Sequence, residues 1–297
     1  SDLPGKGALL DRPGPLRLII LLIVGILAVS CGSIFIRLAA APSLAIAALR
    51  VSWATLLLTP LVVAGPVREL APLTRRDWSL LLLSGAALAL HFALWIASLS
   101  YTSVASSVLL VDTTPFFIGL ASQWVLGRPC HRWFWTGLGA AFLGCLVIFH
   151  GDWHQSQYSM RGNLLAVGGA VAAAIYMMVG ARARQKLSLL AYVWPVYGCS
   201  ALVLLISCAV VGTPLRGYSG QTYLFVFLLG LVPQCIGHTT YNWSLRWLSP
   251  ALVSLIALSE PIAASFLAWI ILHESLTEAK LIGGGIILFG IYLATRD

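Results

Sequence analysis

The sequence predicts an all-α membrane protein in which ten transmembrane helices form two inverted repeats of five. Three observations predict it. The 297 residues are 59% hydrophobic and 9% charged, with mean hydropathy +0.92. Soluble domains carry about 25% charged residues, so this composition cannot cover a water-facing surface. The chain also divides into ten apolar runs near the roughly 20 residues that a helix needs to cross hydrocarbon. Finally, it matches itself without a gap after a shift of 146 positions. Ser98, Leu99, Pro115, Gly137, Gly139 and Gly144 fall on Ser244, Leu245, Pro261, Gly283, Gly285 and Gly290.

Taken in order, residues 1–15 form a polar, proline-rich tail. Helices are expected near 16–38, 43–65, 78–100, 103–126 and 132–150, the first repeat of residues 16–150. A polar linker, 151–161, leads to helices near 162–182, 188–212, 221–246, 249–272 and 279–295, the second repeat of residues 162–295. Turn chemistry marks most breaks: Ala41-Pro42-Ser43, Gly127-Arg128-Pro129 and Gly212-Thr213-Pro214. The weak lipoprotein-like ending of the first run, Leu27 to Cys31, is read as part of a retained first helix, because nine more runs follow.

Basic residues set the orientation. With both termini in the cytoplasm, thirteen Lys and Arg fall on inner segments, among them Arg68, Arg75, Arg76, Arg128, Arg132, Arg182, Arg184 and Lys186. Four fall outside: Arg37, Arg161, Arg216 and Lys280. Arg50 lies inside the second run. That bias is the positive-inside pattern. Five spans per half is an odd number, so the second half must be upside down. Arg128 and Arg132 accordingly correspond to Glu274 and Glu278. Inverted repeats place a shared cavity near the midplane, at helices interrupted by Gly or Pro.

The net charge of +8 is spread over span ends rather than gathered in a patch, which argues against nucleic acid. Six cysteines without C-x-x-C spacing read as small core residues. No metal-ligand spacing, phosphate-cradling loop or catalytic constellation stands out, so neither a cofactor nor an enzyme is expected.

Polar groups at bilayer depth carry the site reading, because unpaired ones are costly in lipid. His91 and Trp95 share one face of the third run. Gln234, His238, Tyr241 and Asn242 share one face of the eighth, beside a kink expected at Pro233. Trp95 shifted by 146 lands on Tyr241, and His91 lands beside His238. Asp112 and Glu260 are the carboxyls well inside apolar runs, and either is a candidate proton carrier or a partner of Arg50. Pro115 and Pro261 would let their helices bend. Tyr176, Ser33, Ser106, Ser107 and Ser254 are further lining candidates. The glycines at 137, 139, 144, 283–285 and 290 read as packing positions.

Ala48-Leu49-Arg50, Ala97-Ser98-Leu99-Ser100-Tyr101-Thr102-Ser103, Ser259-Glu260-Pro261 and Leu272-His273-Glu274-Ser275-Leu276-Thr277 resemble the drug/metabolite transporter superfamily, in its ten-helix EamA branch. Its arrangement also resembles the bacterial aromatic amino-acid exporters of that branch. The resemblance covers residues 16–295 and implies export of amino acids or related metabolites, drugs or nucleotide precursors across a bacterial inner membrane. The expectation is an alternating-access exporter of small metabolites, amino acids first and possibly coupled to protons. The alternatives are a promiscuous drug exporter, a passive channel or an intramembrane enzyme.

Overall fold

The computed structural model describes residues 13–102, 104–124, 127, 130–150, 160–272 and 276–296. Most of the expected tail and linker, Ser103, and His273 to Ser275 lie outside them. The described chain is helical: α1 (Pro15–Leu38), α2 (Ser43–Val63), a 3-10 turn (Pro66–Leu70), α3 (Arg75–Ser98), α4 (Val104–Val111), α5 (Thr114–Trp124), α6 (Arg132–His150), α7 (Met160–Ala183) and α8 (Leu189–Val211). Then come α9 (Gly220–Leu229), a wide π turn (Gly230–His238), α10 (Thr239–Ser244), α11 (Pro250–Ala257), α12 (Glu260–Leu272) and α13 (Glu278–Ala294).

Local chemistry sets the ends. Thr74 and Asp77 form a reciprocal capping box at the start of α3. Ser188, Ser219, Ser249 and Thr277 cap α8, α9, α11 and α13 by accepting a first-turn backbone N–H. Gly212, with φ 76°, closes α8 in the left-handed conformation just before Pro214.

Among the described residues, seven stretches are long and apolar enough to cross a membrane. These are α1, α2, α3, α7, α8, residues 220–244 and residues 250–267. Arg132–Ile148 in α6 is a shorter apolar helix. The difference from ten has a local cause. The fourth run is cut into α4 and α5, of 8 and 11 residues, and α13 has 17.

The cuts themselves correct the expected bends at Pro115 and Pro261. Each proline sits in the first turn of a new helix, where its missing N–H costs nothing. Before each proline the chain tightens. Thr113 N bonds Leu110 O at 3.2 Å and Phe116 N bonds Thr113 O at 2.9 Å. The same bonds recur 146 positions later, from Ser259 N to Ile256 O and from Ile262 N to Ser259 O, both at 3.0 Å. The kink expected at Pro233 takes a different form too: the helix widens into the π turn that holds Pro233.

The most extensive pairings are α6 with α13, α3 with α7, α2 with α8, α3 with α8, and α1 with the π turn. Glycines allow two of these to approach backbone to backbone. Gly137 faces Gly290, and Gly144 faces Gly283. A methyl group built on Gly144 would lie 2.6 Å from the Gly283 carbonyl oxygen, and one on Gly283 equally close to that of Gly144. Gly139 and Gly285 face open space and take no part in packing. On the other side, a methyl group on Gly85 would meet Val196 O at 2.8 Å and Cys199 Cβ at 2.6 Å. One on Gly230 would meet Arg50 O at 2.9 Å and Trp53 Cβ at 2.7 Å. Arg50 and Val196, like Trp53 and Cys199, stand 146 positions apart.

Candidate functional site

A cavity of about 90 Å³ lies where the two broken helical runs meet α3, α7 and residues 238–245. Volume on that scale holds several waters. Val29 of α1 closes one side. His91 and Trp95 enter from α3, and Ala173, Tyr176 and Met177 from α7. The first break gives Val111, Asp112, Thr114 and Pro115. The second gives Ser254, Ala257 and Glu260. His238, Tyr241, Asn242 and Leu245 complete the wall.

The rings form a connected cluster. His91 stacks on Trp95 with centroids 5.9 Å apart and planes 12° apart. The His238 ring lies 6.4 Å from that of His91, 6.2 Å from Tyr241 and 5.2 Å from Phe92. His91 Nδ1 lies 3.0 Å from Gly169 O. A carbonyl only accepts, so Nδ1 carries the hydrogen, and in a neutral ring Nε2 is left as an acceptor. This bond also joins α3 to α7.

Tyr241 donates its hydroxyl to Glu260 Oε1 at 3.1 Å. Asn242 Nδ2 donates to the hydroxyls of Tyr176 at 2.5 Å and Tyr197 at 3.3 Å. Three wall atoms are buried without a hydrogen-bond partner: Asp112 Oδ2, Asn242 Oδ1 and Trp95 Nε1.

The structure thus gathers His91, Trp95, Asp112, Pro115, Tyr176, His238, Tyr241, Asn242, Ser254 and Glu260 around one space. Three residues read from the sequence as lining positions stand elsewhere, while Pro261, read as a bending position, stands at the second break. Gln234 accepts from Arg50 Nε at 2.9 Å and is fully buried. Ser33 is not on the wall; the α1 hydroxyl that reaches the second break is Ser30, which donates to Glu260 O at 3.2 Å. Pro261 is buried behind Glu260's turn rather than on the cavity, and Ser107 bonds Ser98 Oγ at 2.5 Å. The side chain of Ser106 lies outside the described residues.

Arg50 does not hydrogen-bond to either carboxyl considered as its partner. Besides Gln234, its guanidinium carbon sits 4.1 Å from the centroid of the Phe92 ring. Arg184, counted among the inner loop charges, is also buried. It follows the last turn of α7, and its Nε donates to Asn242 O at 3.0 Å, while Nη1 donates to Leu187 O. Burial pulls this guanidinium down to about 10. It therefore ties the wall helix α10 to the α7–α8 turn. The apolar wall residues Val29, Val111, Ala173, Met177, Leu245 and Ala257 carried no sequence signal, since the same residue types fill the core.

The sequence profile of the EamA-like transporter family matches residues 16–150 and 160–296. The chain belongs to the EamA-like transporter family. Its relatives include the "Uncharacterized transporter YwfM" of Bacillus subtilis, 25% identical over 72% of this chain and 72% of that protein. Another is the "Uncharacterized inner membrane transporter YedA" of Escherichia coli, 25% identical over 64% of this chain and 61% of the other. A third, the "Uncharacterized transporter sll1319" of Synechocystis, is 22% identical over 70% and 64%. For the latter two the match spans less than two thirds of the relative's length. One solved crystal structure superimposes with a TM-score of 0.80 over 95% of this chain and 97% of that chain, at 18% identity, which shows the fold. The family and the apolar helices together make this a multi-pass membrane transporter of small molecules.

Proposed function

We propose that the protein is an inner-membrane exporter of small uncharged or zwitterionic metabolites, amino acids first, working by alternating access between two inverted five-helix repeats. The observation that carries this reading is the cavity between the two broken runs, whose break geometry recurs 146 residues apart. Interrupted helices that meet at a repeat interface are where carriers of this architecture bind substrate. The packing supports the repeat. Exchanging the halves carries α3–α7 onto α1 with residues 220–244, and α3–α8 onto α2 with the same stretch. It carries the α6–α13 and α2–α8 pairs onto themselves. The facing glycines exchange in the same way.

Rings for an apolar body and hydrogen-bonding groups for a polar end suit small organic metabolites. The wall is also largely apolar and aromatic, which favours drug-like cargo as a second reading. Flux in proteoliposomes separates them, using amino acids and drug-like amides with and without a pH gradient. Saturable, mutually competing flux of amino acids is expected. Linear, unsaturable flux would overturn the carrier reading, and flux restricted to drug-like molecules would select the second.

The orientation is part of the same proposal. A cysteine placed at position 185 in a cysteine-free background should react with an impermeant thiol reagent only after the cytoplasmic side is opened. Labelling from the outside would sink the inverted arrangement.

A further inference from the structure

The cavity contains a chemical bias that neither the family nor the repeat architecture explains. Among the described residues its charged groups are Asp112 and Glu260, and neither Lys nor Arg lines it. Arg50 stands off the wall, its Nε bonded to Gln234 and its guanidinium over Phe92, with Nη1 and Nη2 unpartnered. Two of the three unpartnered wall atoms are acceptors. Asp112 Oδ2 belongs to a residue 8% exposed, and Asn242 Oδ1 to one 1% exposed. Asn242 spends its amide hydrogens on Tyr176 and Tyr197, so its oxygen is left over.

Broken helices ordinarily offer a carboxylate the free amides of a half-helix N-terminus. Here those amides are scarce. Pro115 and Pro261 remove one from each first turn. The next amides, of Phe116 and of Ile262 and Ala263, are taken by the carbonyls of Thr113 and Ser259. The side-chain donors left on the wall are neutral ones, Trp95 Nε1 and one ring N–H of His238.

Resting on the carrier reading above, we infer that the cavity recognises an organic ammonium group, held by Asp112, Glu260 and Asn242 Oδ1, with the rest of the molecule against the aromatic wall. An ammonium supplies three donors and a positive charge to Asp112 Oδ2 and Asn242 Oδ1, which lack partners, and to Glu260 beside them. It also lies favourably against the rings of Trp95 and Tyr241. A substrate carboxylate meets no Lys or Arg on the described wall and faces two acids. The cavity therefore holds an amino acid by its ammonium end, and a primary amine with the same side chain binds more tightly still.

Three probes of one skeleton test this on purified protein: phenethylamine, phenylalanine and 3-phenylpropionate. Binding should follow that order, with the amine at least tenfold tighter than the amino acid. Asp112→Asn and Glu260→Gln should each weaken the amine tenfold or more while phenylpropionate, facing one acid fewer, binds no more weakly than before, with melting temperature read on the same samples. Should either variant fail to fold, the wild-type ligand order decides alone. Phenylpropionate binding as tightly as the amine, no amine binding, or wild-type affinity in folded variants would overturn the inference. Flux in vesicles keeps the two readings apart. Amine binding without saturable flux removes the carrier and leaves the site; saturable flux without amine preference does the reverse.

Discussion

Glu260→Gln is expected to abolish accumulation driven by a pH gradient while substrate exchange at saturating concentration stays measurable. Glu260 opens α12 at the second break, lines the cavity, and accepts a hydrogen bond from Tyr241. A carboxyl in a wet pocket at membrane depth is where a carrier takes and releases a proton. The amide keeps the shape and can still accept from Tyr241, but it does not titrate. The effect is large because the gradient is. A difference of two pH units is worth about 2.7 kcal/mol per coupled proton, roughly a hundredfold concentration ratio, and the variant should bring that ratio to about one. Accumulation and counterflow are measured in the same proteoliposomes. Unchanged accumulation would assign Glu260 to substrate contact and structure alone.

His91→Ala and His238→Ala are each expected to weaken transport about tenfold, with different effects on stability. Loss of a buried polar contact costs on the order of 1–3 kcal/mol, and a tenfold change needs about 1.4. His91 also holds α3 to α7 through Gly169 O, so its loss should lower the melting temperature as well. Interhelical hydrogen bonds in membranes are worth about 0.6 kcal/mol on average, which keeps that drop small. The His238 ring makes no hydrogen bond among the described residues and lies beside the rings of His91, Phe92 and Tyr241, so His238→Ala should reduce flux at nearly unchanged melting temperature. Wild-type flux in both variants would remove the histidines from the site. A collapse of melting temperature in both would assign them to packing.

Much of this arrangement was legible because lipid punishes misplaced polarity. His91, Trp95, Tyr241, Asp112 and Glu260 stood out as polar or aromatic groups inside apolar runs, and the structure sets all five around one space. Gln234 was misread for a geometric reason. Its face was assigned with 3.6 residues per turn, and residues 230–238 wind as a wider π turn that changes the phase relative to His238. Arg50 and Gln234 are 184 positions apart, and nothing local announces their bond. The breaks were signalled by Pro115 and Pro261, yet a proline ends the helix before it and begins the next, so the interruption itself lies at Thr113 and Ser259. Apolar wall residues such as Ala173 and Met177 stayed invisible, since a cavity wall and a helix interface use the same alphabet.

The π turn has a further consequence. Gly85 and Gly230 make corresponding contacts at a spacing of 145, whereas Trp95 and Tyr241, like Ser98 and Ser244, are spaced by 146. Between Gly230 and Tyr241 the second half therefore carries one residue more than the first does between Gly85 and Trp95, and the π turn lies where it must be absorbed. His238 consequently has Phe92, not His91, as its counterpart 146 positions earlier, and those two rings touch. A flawless duplicate would accept its cargo in either of two equivalent poses, and its two facing states would be mirror tasks of equal energy. One inserted residue lifts that degeneracy. Under the alternating-access reading proposed above, it would give the bound molecule a head and a tail, and give the empty carrier a preferred side on which to wait.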